Sequence, residues 1–159
     1  MCWYSEKLEI KYAENDIKVF KVVKYRQLSH LGNKTYEIVP FYYYLNEVYG
    51  YYKNECFGIS KELFEQELDF SVEKAETYGY YISGNSFHSY SDKNLQYSQV
   101  TEKCYYVRNC FLTVLDFYEL NDGILIMHCI IPKGAKYAVN ELGEYVSDKL
   151  KIKSFEKIK

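Results

Sequence analysis

Three histidines and five cysteines carry most of this chain's capacity for metal, acid–base or nucleophilic chemistry: His30, His88 and His128, with Cys2, Cys56, Cys104, Cys110 and Cys129. Their spacing argues against metal, because zinc sites draw on local ligand pairs and no Cys-x-x-Cys or His-x-x-x-His occurs. His128 and Cys129 are neighbours in a stretch that reads as a strand, so they leave on opposite faces and cannot chelate one ion. No metal and no cofactor are expected. An odd number of irregularly spaced cysteines predicts free thiols.

Cys2 is the sharpest nucleophile candidate. Removal of Met1 would leave a thiol beside a free amine, the pairing that N-terminal nucleophile enzymes use. The Met1-Cys2 start superficially resembles class II glutamine amidotransferases, but the Gly-rich oxyanion segments of that family are not seen, and a buried, inert cysteine is the competing reading. Tyr80–Tyr90, YYISGNSFHSY, is the second candidate. Gly84 opens a loop in which Ser86, His88 and Ser89 can hold a ligand, and histidine is the usual acid–base group near neutral pH. No carboxylate at local spacing orients His88, so a solvated loop histidine is the plainer reading. No catalytic residue is assigned.

Strands must position these groups. Asp16–Lys24, DIKVFKVVK, has apolar residues on both faces and reads as an inner strand. Gln27–Lys34 is a loop. Thr35–Tyr52 is two or three short strands, broken or edged at Pro40. Ser60–Phe70 is the best helix: Ser60 as N-cap, Glu62 in the first turn, and Leu63, Phe64 and Leu68 as an apolar stripe. A second helical stretch is expected over Ser71–Thr77, strand character over Tyr78–Ile82, a polar loop over Ser83–Asn94 and a short helix over Asn94–Lys103. Cys110–Leu120 and Ile124–Ile131 read as strands joined at Asn121-Asp122-Gly123, a strong hairpin signal. Pro132-Lys133-Gly134 ends the second of them. Tyr137–Val139 is a short strand and Asn140–Gly143 a turn. Lys149–Phe155 alternates lysines against Leu150 and Ile152, as an edge or one-sided strand does. With no repeat or linker, residues 1–159 read as a single α+β domain, mainly antiparallel sheet with one or two helices.

Composition narrows the partners. The formal charge is −2 and the pI about 6.0, against a general nucleic-acid binder. Lysine and arginine total 20, of which only Arg26 and Arg108 can form the bidentate guanidinium contacts that phosphates favour. Met1–Ile10 holds Glu6, Lys7 and Glu9 and no apolar core, so it is no signal peptide, and no apolar run reaches membrane-spanning length. A cytoplasmic protein is expected. The 20 tyrosines exceed ordinary usage. They supply either a core with polar tips or an aromatic surface for something flat; AT-rich codons, shared with Lys, Asn and Ile, are a further source of the excess. Adjacent tyrosines on a strand face opposite sides, which halves the rings open to a ligand.

Two likenesses bear on function. Val19–Val23, Ser86–Tyr90 and Ile131–Asp148 loosely resemble the ADP-ribosyltransferase fold, whose first strand carries Arg or His, whose middle strand carries Ser-Thr-Ser or Tyr, and whose late loop carries a catalytic Glu. Here Arg26 lies just after the first strand, Ser86-Phe87-His88-Ser89 is not Ser-Thr-Ser, and Glu141 and Glu144 are three apart where the usual acidic pair is two apart. Met1–Ser5, Asp16–Val22 and Ile131–Leu150 resemble small proteins, without an established activity, of bacteriophages and their bacterial hosts. That resemblance implies a compact accessory gene product that counters a host process, working in the host cytoplasm.

The expected function is a phage-type accessory protein that binds and sequesters a small nucleotide-like ligand without chemistry. Arg26, Tyr43, Tyr81, Ser86, His88, Tyr90, Arg108 and Lys133 are the candidate ligand residues. The alternatives are an ADP-ribosyltransferase-like enzyme, or an interaction module that inhibits a host protein or pairs with a second copy of the chain, since tyrosine is enriched at interface cores.

Overall fold

The structure, a computed structural model, describes residues 3–7, 9–27, 35–40, 48–53, 56–66, 71–75, 79–83, 87–93 and 124–157. Its strands in chain order are β1 (Trp3–Ser5), β2 (Lys11–Tyr12), β3 (Ile17–Gln27), β4 (Thr35–Pro40), β5 (Gly50–Lys53), β6 (Cys56–Ile59), β7 (Leu63–Glu65), β8 (Ser71–Ala75), β9 (Gly79–Ser83), β10 (Phe87–Tyr90), β11 (Ile124–Ile131), β12 (Lys136–Val139), β13 (Glu144–Ser147) and β14 (Lys149–Lys157). No helix stands among these elements. The α+β expectation is therefore corrected: the described chain is nearly all β, a curled antiparallel half-barrel.

β1, β9 and β8 form a small sheet in that order. The other strands form one large sheet along the path β2-β12-β13-β10-β3-β11-β14-β7, with β4, β5 and β6 branching from β3. β3 is the spine. One edge pairs with β11 over Ile17–Lys24, while the other carries β10 at Phe20 and then β4 from Val23 to Gln27. Val22 and Val23 are adjacent and both buried, so the sheet is covered on both faces here, as an inner strand requires. β-Branched side chains suit such a pleated, buried surface.

Val19, Val23, Ile38, Phe87, Leu125, Met127, Cys129, Leu150 and Ile152 pack into one core cluster. They come from β3, β4, β10, β11 and β14, neighbours in the sheet, and the curl shows where Tyr49, just before β5, meets Phe64 of β7 at 5.0 Å between ring centroids. Theirs is the concave face. Val22, Tyr90, Ile126, Ala138 and Val146 are buried on the opposite, convex face. The curl is held at one end by the passage from β6 to β7: β6 pairs with β5, and β7 pairs with β14. Between them the Ser60 N–H donates to the Tyr49 carbonyl (3.3 Å), and the Ile152 N–H donates to the Glu62 carbonyl (2.7 Å).

That passage overturns the expected helix over Ser60–Phe70. The Ser60 hydroxyl donates to the Val48 carbonyl at 2.8 Å instead of capping. Leu63, Phe64 and Glu65 pair with Lys151, Leu150 and Lys149. Phe64 alone enters the core, and its ring meets Tyr49 edge-on at 5.0 Å. Strand pairing and one buried ring outweigh a local helix preference of tenths of a kcal/mol per residue, an order of magnitude set by host–guest scales. Residues 67–70 lie outside the described residues. Ser71–Ala75, expected as helix, pairs with β9. Phe87–Tyr90, expected as polar loop, is a strand between β3 and β13 with Phe87 and Tyr90 buried. The short helix over 94–103, the strand over 110–120 and the turn at 121–123 fall outside the described residues.

β11 and β12 match the expected strands, and Asn140–Gly143 turns as expected, with the Gly143 N–H donating to the Asn140 carbonyl (3.1 Å) and φ +79° at Gly143. β14 is one-sided as expected, Leu150 and Ile152 buried, but it is no edge: β11 and β7 flank it.

Candidate functional site

The register of β3, β4, β5, β6 and β14 gathers aromatic rings at one end of the concave face. Tyr25 follows Val23 by two residues and so shares its face. Tyr36 lies opposite Tyr52, and Tyr52 lies opposite Phe57. On the far side of the curl, Phe155 lies opposite the buried Met127. The rings touch in succession: Tyr25–Tyr36 at 5.0 Å, Tyr25–Tyr52 at 5.4 Å, Tyr52–Phe57 at 5.0 Å and Phe57–Phe155 at 6.1 Å between centroids. Such separations lie within the roughly 4.5–7 Å at which aromatic pairs attract. All five rings are half-buried. They form an aromatic mouth at the end of the concave face away from the closing passage, where Tyr25, Phe57 and Phe155 also pack against the core cluster; barrel mouths are common ligand sites.

Phe155 reaches this mouth because of a bulge. Cys129 pairs with Ile152 and His128 with Ser154, so Lys153 is an extra residue in β14. The inserted residue reverses the alternation. Ile152 faces the core before it, Phe155 and Lys157 take the concave face after it, and Glu156 turns to the convex face. There Glu156 Oε2 lies 2.8 Å from His128 Nε2 and Oε1 lies 3.3 Å from Lys93 Nζ. The His128 and Lys93 contacts hold the Glu156 carboxyl below its usual range. The Phe20 and His128 rings meet in a T-shaped pair, 5.1 Å between centroids. This tie fixes the segment of β14 that carries Phe155.

Gly50 is required at the mouth's base. A Cβ there would collide with the Gly58 carbonyl oxygen, so only glycine lets β5 and β6 approach this closely.

The electrostatics of the concave face are one-sided. Lys21 lies opposite Met127, and Lys157 lies opposite Leu125 beside Phe155. Among the described strand residues on this face there is no aspartate or glutamate, although the whole chain carries a net charge of −2.

The structure scatters the candidate residues read from the sequence. Tyr43, Ser86 and Arg108 lie outside the described residues. Arg26 occupies the register position opposite Glu37, near the mouth end of β3. Tyr81 belongs to the small sheet, opposite Tyr4 and Glu73. Lys133 sits in the turn after β11, where its N–H donates to Asp16 Oδ1 at 2.9 Å. Asp16 precedes β3 and Arg26 is ten residues on, roughly 33 Å at the rise of an extended strand. Arg26 and Lys133 thus stand at opposite ends and cannot grip one small ligand. Tyr90 is only 1% exposed on the convex face, which leaves no wall for a ligand there. His88 faces the same way, opposite Val146. It keeps some accessible surface, but protein packed around the ring withdraws it from water, and burial, aided by Lys21, pushes its pKa down to about 3. Its imidazole is neutral at physiological pH.

The structure does place the three segments of the ADP-ribosyltransferase likeness side by side. β10 lies between β3 and β13, with Tyr90 opposite Phe20 on one side and Glu144 on the other. Glu141 is engaged elsewhere: its Oε1 lies 3.2 Å from the Ser5 hydroxyl. Its own N–H first, then Ser5 and the N–H groups of Glu6 and Lys7, hold its carboxyl below the usual range. Cys2, Cys104 and Cys110 lie outside the described residues, and of the other two cysteines Cys56 is exposed and Cys129 buried, both free thiols. Among the described residues no cluster of metal-ligating side chains occurs, and no helix is long and apolar enough to cross a membrane.

None of these five rings is among the candidate ligand residues read from the sequence. The available signal was period two: Tyr25 follows Val19 and Val23 on one face, and Tyr36 precedes Ile38. No protein family, curated protein or solved structure matches the chain.

Proposed function

We propose that this protein binds and sequesters a small nucleotide-like molecule in the aromatic mouth, without chemistry of its own, as an accessory protein of the counter-defence kind that the phage likeness implies. The observation that carries the reading is the run of five half-buried rings, Tyr25, Tyr36, Tyr52, Phe57 and Phe155, in contact across one end of the half-barrel. Stacking a base on such rings contributes ~1–3 kcal/mol per base. The concave face adds lysines and no carboxylate among its described strand residues, which suits an anion.

The groups best placed for chemistry in the described residues are poorly suited to it. The Cys129 thiol is buried and pushed up to about 12, which denies it a thiolate. His88 is neutral and enclosed. The transferase alternative rests on the β3-β10-β13 adjacency, in which the Tyr90 ring is buried.

Protein purified natively from cells should carry the ligand. Heat denaturation followed by mass spectrometry of the supernatant is expected to release a nucleotide-like compound. An empty supernatant together with no thermal shift across a nucleotide panel would remove the nucleotide reading and favour a protein partner.

A further inference from the structure

We infer that Lys157 is the anion-binding residue of the mouth, and that the ligand is therefore a planar heterocycle carrying a phosphate on a short tether, of the nucleoside monophosphate class. The inference rests on the proposed binding function and sharpens it. β14 emerges from the bulge with Phe155 opposite Met127 and Lys157 opposite Leu125. Both partners are buried on the concave face, so Lys157 stands on the mouth's face, one strand repeat beyond the last ring of the aromatic run. That spacing is roughly 6.6–7 Å. A ligand stacked at Phe155 meets the ammonium only if its charge lies within a comparable reach of its ring.

Three observations favour this residue over Lys93, Lys133 and Lys149. Lys157 is exposed, and among the described residues no carboxylate pairs with it, whereas Lys93 and Lys149 are spoken for by Glu156 and Glu65. Lys133 lies at the far end of β3, bound through its backbone to Asp16. Described strand residues on the concave face offer no aspartate or glutamate to repel a phosphate or neutralise the lysine.

The test is isothermal titration with adenosine, guanosine, cytidine and uridine and with their 5′-monophosphates, on the native protein and on Lys157→Gln and Lys157→Arg. For at least one base, the monophosphate is expected to bind about tenfold tighter than its nucleoside, the size one exposed charge-assisted contact supplies. Lys157→Gln should erase that gap and leave nucleoside affinity unchanged. Lys157→Arg should restore most of it, and 0.5 M salt should narrow it in the native protein through screening. Urea melts that superimpose for the three proteins establish that folding is intact. A gap that survives Lys157→Gln, or no gap in the native protein, overturns the assignment while leaving the binding function standing. Absence of binding by every nucleoside and monophosphate sinks the binding function, and this inference with it.

Discussion

Phe57 of β6 and Phe155 of β14 bring their rings to 6.1 Å across a seam that no strand pairing closes among the described residues. On one side of the curl β6 pairs only with β5, and on the other β14 pairs with β7 only over Lys149–Lys151. The two rings thus join the sides of the half-barrel at the mouth, as the Ser60–Glu62 passage joins them at the base. A contact that is half-buried yet spans a seam affects both stability and binding.

Phe155→Ala is accordingly expected to lower the unfolding free energy by about 1–2 kcal/mol, below the ~3–5 kcal/mol of a fully buried phenylalanine. It should also weaken ligand binding at least tenfold. Phe155→Leu should recover most of the stability but not the stacking. Urea denaturation paired with titration separates the two effects. Equal recovery of both by leucine would show that the rings serve packing alone.

Phe64 and Leu63 test the strand that replaces the expected helix. Phe64 is 6% exposed, against Tyr49 and Phe87, whereas Leu63 is 36% exposed. Phe64→Ala should cost about 3–5 kcal/mol and Leu63→Ala about 1 kcal/mol or less. A helix burying both on one stripe would make the two losses comparable. Chemical denaturation of the two variants decides between them.

These elements show where local pattern suffices. Ile17–Lys24 and Ile124–Ile131 were legible because adjacent β-branched and apolar residues satisfy two buried faces at once. Tyr51 and Tyr52 obey the alternation rule as expected, Tyr51 being 41% exposed and Tyr52 half-buried at the mouth. Leu63-Phe64-Glu65 was not legible, because its helix-forming residues are held by β14, some 85 positions later along the chain. The Lys153 bulge was hidden for a related reason. Alternating lysines from Lys149 to Lys153 imply a continued rhythm, and only pairing with β11 shows that the rhythm reverses before Phe155. The mouth itself depends on register between strands that span most of the chain, which no local spacing records.

His88 sets the acid response. Its folded pKa, about 3, lies below the ordinary 6.5 because burial disfavours the charged ring. The unfolded chain therefore binds more protons than the folded one between these values. Stability should be fully expressed above pH 6.5 and fall progressively as the pH drops toward 3. His88→Gln keeps a polar side chain without the titration. Its stability is expected to change less across that window, even if its neutral-pH stability is lower. Unfolding free energies at several pH values between 3 and 8 test this, and parallel curves for native and variant protein would refute it.

Cys56 and Cys129 should separate by reactivity. Cys56 is exposed on β6, whereas Cys129 is buried on the concave face with its thiol pushed up to about 12. The thiolate is the reacting species, so Cys129 is protected twice, by exclusion of reagent and by suppression of its ionisation. Iodoacetamide at pH 8 followed by peptide mass mapping should label Cys56 within minutes and spare Cys129 until urea unfolds the sheet. Because Cys129 lies opposite Val19 in the β3–β11 ladder, its labelling rate reports opening of the central strands. Early labelling of Cys129 in native buffer would mean that β3 and β11 separate readily, which contradicts their role as the spine of the fold.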